Sequence, residues 1–150
     1  MLSNRTKFAC DAWAALVLSL PALLPALPAI ASEATLYERI GGRPVLHAVV
    51  GQTLAQVTRD PAVNQSFAKV DIHRLIEKVT DELCAVTGGA CPPSEDSVKT
   101  IHAGLNISER EFYALVEALR DALDEHSVGT REKNELLRIL APMKRDVVTR

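Results

Sequence analysis

Three side chains in this 150-residue sequence have the types and positions that could do chemistry: His102, Cys84 and Cys91. His102 lies in the stretch VKTIHAGLNISEREF (residues 98–112), between apolar positions and just before the start of a helix. No second histidine, cysteine or aspartate stands at a spacing that would complete a tetrahedral zinc site around it. Two interpretations stay open at this point: a packed histidine, which is the commoner role, or a ligand to a metal that brings most of its own ligands.

The two cysteines are seven residues apart, and three interpretations of them are open: unpaired small apolar residues, a disulfide, or a thiol redox pair. Their spacing is not C-x-x-C, and no adjacent basic residue would activate either thiol, which argues against redox catalysis. We predict a Cys84–Cys91 disulfide because the N-terminal segment indicates export to a compartment where disulfides persist.

That N-terminal segment, residues 1–31, has the layout of a secretory signal peptide. Positive charge in NRTK precedes the apolar run AWAALVLSL (residues 12–20), and AIA (residues 29–31) offers small residues for cleavage. An uncleaved anchor is the less favoured alternative, because the run is short and is followed by prolines. We expect residues 32–150 to form one exported, periplasmic domain that has no contact with the membrane after cleavage.

Charge and composition narrow the function classes. The chain has 17 basic and 19 acidic residues, a net charge of −2, which argues against a nucleic-acid binder. Aromatic residues make up only 4% of the chain, although 47% of it is hydrophobic. The core must therefore be mostly aliphatic, or be filled partly by a group that is not protein.

Apolar residues recur at helical spacing through residues 32–150 and no alternating strand pattern occurs, so we predict an all-α domain with about five main helices. The first predicted helix is Ser32–Ile40, the second runs from Pro44 to the Asp60-Pro61 turn, and the third runs from the Asp71 cap to Gly88-Gly89. A short helical turn follows at Val98–His102. The capping box Ser108–Glu111 opens the next long helix, and the last one begins at about Thr130. On the third of these helices, an apolar stripe is formed by Ile72, Leu75, Ile76, Val79 and Leu83. The two long helices after it should bury Phe112, Leu115, Val116, Leu119 and Leu123, and Leu136, Leu137, Leu140, Met143 and Val147.

Six stretches, in order, resemble the group I truncated haemoglobins: TLYERIGG (35–42), RDP (59–61), Phe67, TGG (87–89), HAGLNISEREF (102–112) and LLRILAPMKRDVV (136–148). The resemblance covers essentially all of residues 32–150. It implies a two-over-two helical sandwich, a shortened globin fold around one haem b. Haem would also answer the question about His102, because its four pyrrole nitrogens supply the remaining iron ligands.

The resemblance also implies roles for individual residues around the haem. His102 corresponds to the proximal iron ligand, and the carbonyl of Val98 is a candidate acceptor for its other ring nitrogen. Phe67 corresponds to the phenylalanine that packs on the haem face. Lys78 falls where a basic side chain can meet a haem propionate.

The distal side, where a gas ligand would bind, departs from the family pattern. The Phe-Tyr pair of the second helix is replaced by Thr53 and Leu54, and the distal glutamine by Val79. With Leu75, these residues form a pocket in which Thr53 is the one weak hydrogen-bond donor. We expect reversible binding of a diatomic gas (O2, CO or NO), with oxygen exchanging fast.

Two rival functions from other classes remain. One is a haem-free helical interaction module that kept the globin fold, and the other is a small thiol-redox protein that uses Cys84 and Cys91. Nitric oxide dioxygenation, an activity known in the family, needs a stable oxygen complex and a reductase partner. Simple gas binding is therefore favoured over this enzymatic activity.

Overall fold

The computed structural model describes residues 33–61, 63–92 and 94–150, and the predicted signal peptide lies outside them. These residues form helices and no strand, which confirms the all-α prediction. The helices are α1 (Leu36–Ile40), α2 (Gly42–Val57), α3 (Ile72–Val86), α4 (Val98–His102), α5 (Glu109–Glu125), α6 (Thr130–Leu140) and α7 (Lys144–Val147), with 3-10 helices at Asn64–Phe67 and Ala141–Met143.

The first helix is shorter than the sequence pattern suggested. The Thr35 side chain accepts a hydrogen bond from the Glu38 amide, and the Glu38 carboxylate accepts one from the Thr35 amide. This reciprocal cap fixes the start of α1 at Leu36 and not at Ser32. Gly41 then ends the helix with a φ of 112°, a conformation that favours glycine.

Two other predicted caps are confirmed, and the end of α2 is corrected. The Asp71 side chain accepts a hydrogen bond from the Arg74 amide at the start of α3, and the capping box at Ser108 opens α5. The predicted end of α2 at Asp60 is wrong by three residues, because the last amides bond three residues back and tighten the turn after Val57.

The predicted C-terminal helix is interrupted. It ends at Leu140, passes through the 3-10 helix Ala141–Met143 and resumes as α7. Pro142 lacks an amide hydrogen and its ring obstructs the preceding turn, so a continuous α-helix cannot form there. Of the side chains predicted to be buried in this part, only Leu136 is fully buried; those of Leu137, Leu140, Met143 and Val147 are partly buried.

Helix α2 is the centre of a closed core. It packs against α3 and α5, while α1 lies against α2 and α6. The side chains of Leu46 and Val49 are fully inaccessible, and burying each contributes about 1.5–3 kcal/mol relative to leaving it exposed. We call this group the α2 core; its buried members are Leu36, Ile40, Leu46, Val49, Val50, Leu54, Val57, Val63, Leu83, Cys84, Ala118, Ala122, Leu123, Val128 and Leu136.

Outside this core, two predicted apolar faces are only partly covered by protein. Of the apolar residues predicted to share a face, only Leu83 on α3 and only Leu123 on α5 are buried. Thr80 and Cys84 on α3 and Ala118 and Ala122 on α5 are buried beside them. The α3 residues Ile72, Leu75, Ile76 and Val79 are only partly buried, and so are the α5 residues that were predicted to be buried, Phe112, Leu115, Val116 and Leu119. The reason is the arrangement of the helices, since α4 packs mainly on α7 and does not cover α3. We call Ile72, Leu75, Ile76 and Val79 the α3 stripe.

Candidate functional site

His102 is the last residue of α4, a helix of five residues capped by Ser97. Its Nδ1 lies 2.7 Å from the carbonyl oxygen of Val98, one helical turn back. In the tautomer in which Nδ1–H donates to this carbonyl, Nε2 carries a lone pair and is ready to act as a ligand. The sequence-based expectation that Val98 would accept this bond agrees with the geometry.

The surroundings of His102 suit a metal group that brings most of its own metal-coordinating atoms. His102 is half-buried, and its Nε2 has no hydrogen-bond partner among the residues that the structure describes. Within those residues, no group of three histidine, cysteine or acidic side chains is placed to hold a metal ion. Ile101 and Leu105, on either side of His102, are each 51% exposed.

Residues near the C-terminus form hydrogen bonds with the loop that follows α4. The Ile107 amide donates to Thr149 Oγ1 at 3.1 Å, and the Thr149 amide donates back to the Ile107 carbonyl at 2.9 Å. Lys144 on α7 donates to Glu109 Oε1 at 2.6 Å and lies 4.6 Å from the centre of the Tyr113 ring. These contacts hold the C-terminal side of the histidine-bearing segment against α5 and α7.

Phe67 ends the first 3-10 helix and lies in an open surface depression. The depression has a volume of about 320 Å³ and is lined by Thr58, Asn64, Gln65, Phe67, Ala68 and Ile72. Asn64 Oδ1 is buried and has no hydrogen-bond partner within the described chain. Nothing in the sequence around Asn64 indicates a buried, unpartnered amide.

Glu111 links the segment that carries Phe67 to α5. Ser66 Oγ donates to Glu111 Oε1 at 2.6 Å, while the Ser108 amide and hydroxyl both donate to Oε2. These bonds, the Ser108 hydroxyl first and then Ser66, lower the pKa of Glu111 to about 2. The sequence predicted only the local capping role, since Ser66 is 45 residues away and no spacing rule connects it to Glu111.

Three of the four predicted distal residues are apolar, and the fourth is Thr53. Thr53 is buried, and its hydroxyl donates to the Val49 carbonyl at 2.8 Å inside α2. Its only proton is used inside the helix in this structure, which argues against the predicted role of Thr53 as a weak donor to a ligand. Leu54 is part of the α2 core, and Leu75 and Val79 pack against that core from α3.

Lys78 is exposed on α3 beside Val79 and forms no ion pair or hydrogen bond with any residue in the described part of the chain. The neighbouring Glu77 is held by Arg43 at 2.8 Å and by His47 Nε2 at 2.9 Å. The bond from His47 is the main cause of the lowered pKa of Glu77. Glu77 is therefore engaged, and the ammonium of Lys78 remains available to an anionic group.

A disulfide joins Cys84, in the last turn of α3, to Cys91, in the connection between α3 and α4. The two Cα atoms are 5.8 Å apart, as predicted for a bonded pair. Gly89 packs directly on it: a Cβ there would lie 2.4 Å from Cys84 Sγ and 2.9 Å from a ring carbon of Tyr37. Only glycine fits at this position without displacing the disulfide.

The described helices are also too short or too polar for one of them to span a lipid bilayer.

Comparisons with known proteins bear on the whole described region. Residues 35–149 match the family model for bacterial-like globins. The chain is similar to the group 1 truncated hemoglobin GlbN of Mycolicibacterium paratuberculosis, with 29% identity over 119 residues, which are 79% of this chain and 88% of that protein. It is also similar to the group 1 truncated hemoglobin of Tetrahymena pyriformis, with 26% identity over 114 residues, 76% of this chain and 94% of that protein.

Solved structures show the same helical arrangement. The truncated hemoglobin of Tetrahymena pyriformis in its Fe(III) form superposes with a TM-score of 0.73 and 26% identity, covering 78% of this chain and 100% of that one. The hemoglobin of Chloroflexus aurantiacus superposes with a TM-score of 0.70 and 26% identity, covering 79% of this chain and 100% of that one. The two-over-two helical sandwich expected from the sequence is confirmed.

Proposed function

Because this chain belongs to the bacterial-like globin family and has the fold of a group I truncated haemoglobin, we propose that it binds one haem b through His102 and a diatomic gas on the opposite face. The observation that carries the proposal is the 2.7 Å contact between His102 Nδ1 and the Val98 carbonyl. This bond selects the tautomer that presents Nε2 to a metal and fixes the plane of the ring.

Three further features fit a haem. The α3 stripe and Phe67 offer apolar surface that the protein covers only in part, which suits a flat apolar group. Lys78 has a free ammonium that would pair with a propionate. When bound, the haem supplies an iron with four pyrrole ligands and one position for a gas.

The distal residues decide which gas behaviour to expect. Leu54, Leu75 and Val79 have no donor, and the Thr53 hydroxyl is bonded to Val49. A hydrogen bond to a partly charged ligand contributes about 1.5–3 kcal/mol, so its absence corresponds to roughly ten- to a hundredfold faster release. We therefore propose fast-exchanging oxygen, or carbon monoxide or nitric oxide, as the ligand. Oxygen storage and nitric oxide dioxygenation rank below simple binding, and a reductase that keeps the iron ferrous is an expected partner.

Export forms part of the same proposal. We propose that residues 1–31 direct secretion and are removed, so that residues 32–150 function in the periplasm. The Cys84–Cys91 disulfide supports this, because disulfides persist in oxidising compartments. N-terminal sequencing of the protein from cell fractions tests it: a periplasmic protein that begins near residue 32 is expected, and a cytoplasmic protein with an intact N-terminus contradicts it.

The haem proposal is tested by the visible absorption spectrum of residues 32–150 supplied with haem. We expect a Soret band that shifts when carbon monoxide is added. His102→Ala should lose or alter this band, while the control His73→Ala, at an exposed position on α3, should leave it unchanged. A parent that stays helical but colourless after addition of haem would contradict the proposal and favour the haem-free interaction module.

A further inference from the structure

The Cys84–Cys91 disulfide connects α3 to the chain segment that leads into α4, and these two helices border the proposed haem. Cys84 belongs to α3, which carries Leu75 and Val79, and Cys91 belongs to the segment that leads into α4 and His102. We propose that this disulfide positions the proximal histidine, so that its reduction weakens iron–histidine ligation and loosens the haem. The inference rests on the proposed haem function.

The first support is that little else holds the segment between α3 and α4. Gly88 and Gly89 still bond back to the end of α3, with the Gly89 amide donating to the Cys84 carbonyl at 2.8 Å. From there to Ser97, the described residues 90–92 and 94–96 form no hydrogen bond or ion pair with other described residues. Apart from Cys91, which is partly buried, these residues are exposed. The disulfide is therefore the last fixed point on the described chain before α4.

The second support is the dependence of α4 on its attachments. A helix of five residues is not stable by itself in water, so contacts outside the helix determine its position. On its C-terminal side, the bonds between Ile107 and Thr149 hold the following loop. Helix α4 itself packs on α7, and the nearest fixed point before it along the described chain is the disulfide at Cys91. Opening it leaves the Val98–His102 bond intact inside α4 but frees the helix to shift relative to α3.

The third support is that the bond is chemically accessible from one side. Cys84 is fully buried, whereas Cys91 is partly exposed, so a reductant thiolate attacks Cys91 Sγ and expels the Cys84 thiolate, which takes up a proton. The second thiol of a dithiol reductant then breaks the mixed disulfide and releases Cys91 as a thiol. The protein gains two electrons and two protons, and the dithiol becomes a disulfide. The only other cysteine in the sequence, Cys10, lies in the proposed signal peptide.

The experiment compares the haem-loaded protein before and after treatment with dithiothreitol, together with the double variant Cys84→Ala/Cys91→Ala. Two readouts are used: the rate of haem transfer to an excess of apomyoglobin, and the iron–histidine stretching band of the ferrous protein in resonance Raman spectra. We expect about tenfold faster haem loss and a shifted or broadened band, as for lost supporting contacts around a metal ligand. Reoxidation should restore both values in the parent, and dithiothreitol should leave the double variant unchanged.

A matched control separates positioning from general loss of stability. Val128→Ala removes a buried side chain of the α2 core, far along the chain from the disulfide. The two variants are compared at denaturant concentrations where their free energies of unfolding are equal. The proposal is overturned if both lose haem at the same rate, or if the iron–histidine band of the double variant matches that of the parent.

Hydrogen exchange of the haem-free protein distinguishes failure of this inference from failure of the haem proposal. Reduction should raise the exchange of the α4 amides and leave those of α2 protected. If the parent takes up no haem, the haem proposal fails, and faster exchange in α4 still shows that the disulfide positions His102. Unchanged exchange in α4 overturns the positioning role itself.

Discussion

The α2 core and the α3 stripe are built from the same kinds of residue at the same helical spacing, yet the protein covers them differently. Leu46 and Val49 on α2 are fully buried, whereas Leu75 and Val79 on α3 are only partly buried. Spacing determines which face of a helix is apolar, but the neighbouring helices determine how much of that face is covered. An apolar stripe covered on one side only is what a fold with a flat cofactor requires.

The two regions also differ in how their polar groups are satisfied. Inside the α2 core, buried hydroxyls bond within their own helix, as Thr53 does to Val49. Around His102 and Phe67, two of the bonds join distant segments: Ser66 to Glu111, and Ile107 to Thr149. The core therefore depends on many small apolar contacts, and the candidate site on a few specific links.

The largest expected difference is in the free energy of unfolding when a leucine is truncated to alanine in each of the two regions. Leu46→Ala should lower the free energy of unfolding of the haem-free protein by about 3–5 kcal/mol, because it removes buried contacts and leaves a cavity. Leu75→Ala should cost only about 1 kcal/mol, because its side chain is already partly exposed and no closed cavity forms. Urea unfolding measures both values. Equal losses would mean that the α3 stripe is as closed as the α2 core.

The local features of this molecule follow from the sequence. The bounds of α4, the caps at Asp71 and Ser108 and the bond from His102 to Val98 all involve residues at most four positions apart. Over such distances, side-chain chemistry and helix geometry leave few alternatives. The break at Pro142 was not predicted, although proline inside a helical pattern is itself a local signal for an interruption.

What the sequence did not predict depends on tertiary contacts. The partial cover of Leu75 and Val79 depends on where α4 packs, and the link from Ser66 to Glu111 spans 45 residues. Thr53 illustrates a different limit: its hydroxyl can donate to a ligand or to its own helix, and the sequence does not decide between them. The hydrogen bond that the Thr53 hydroxyl makes was therefore beyond the sequence.

A substitution that adds a donor to the α3 stripe sharpens the comparison at the site. Val79→Gln should slow oxygen release by roughly ten- to a hundredfold, because the amide N–H can bond to a partly charged ligand. Carbon monoxide carries little charge, so its release should change by less than about threefold. Stopped-flow ligand replacement measures both rates. The control Val79→Leu adds bulk without a donor, and equal slowing by both variants would assign the effect to crowding.

The smallest expected effect is on the free energy of unfolding when the hydrogen bonds of Glu111 are weakened, and this effect should depend on pH. The pKa of Glu111 is lowered to about 2, below its ordinary value of 4.5, so its carboxylate contributes stability above about pH 4.5 and loses it as the pH falls towards 2. Glu111→Gln should therefore cost about 1–2 kcal/mol at pH 7 and almost nothing near pH 2, since the variant lacks the charge that strengthens the bonds from Ser66 and Ser108.

Thermal unfolding from pH 2 to pH 7 measures this difference, with Glu117→Gln as the control. Glu117 lies on the same helix, but its side chain is 68% exposed, so its substitution should change stability by less than about 0.5 kcal/mol at every pH. Because Glu111 holds the segment of Phe67 and not the α2 core, acid should raise hydrogen exchange around residues 64–67 before it affects α2. A variant whose stability differs from that of the parent by the same amount at pH 2 and pH 7 would show that the loss comes from packing and not from the charge.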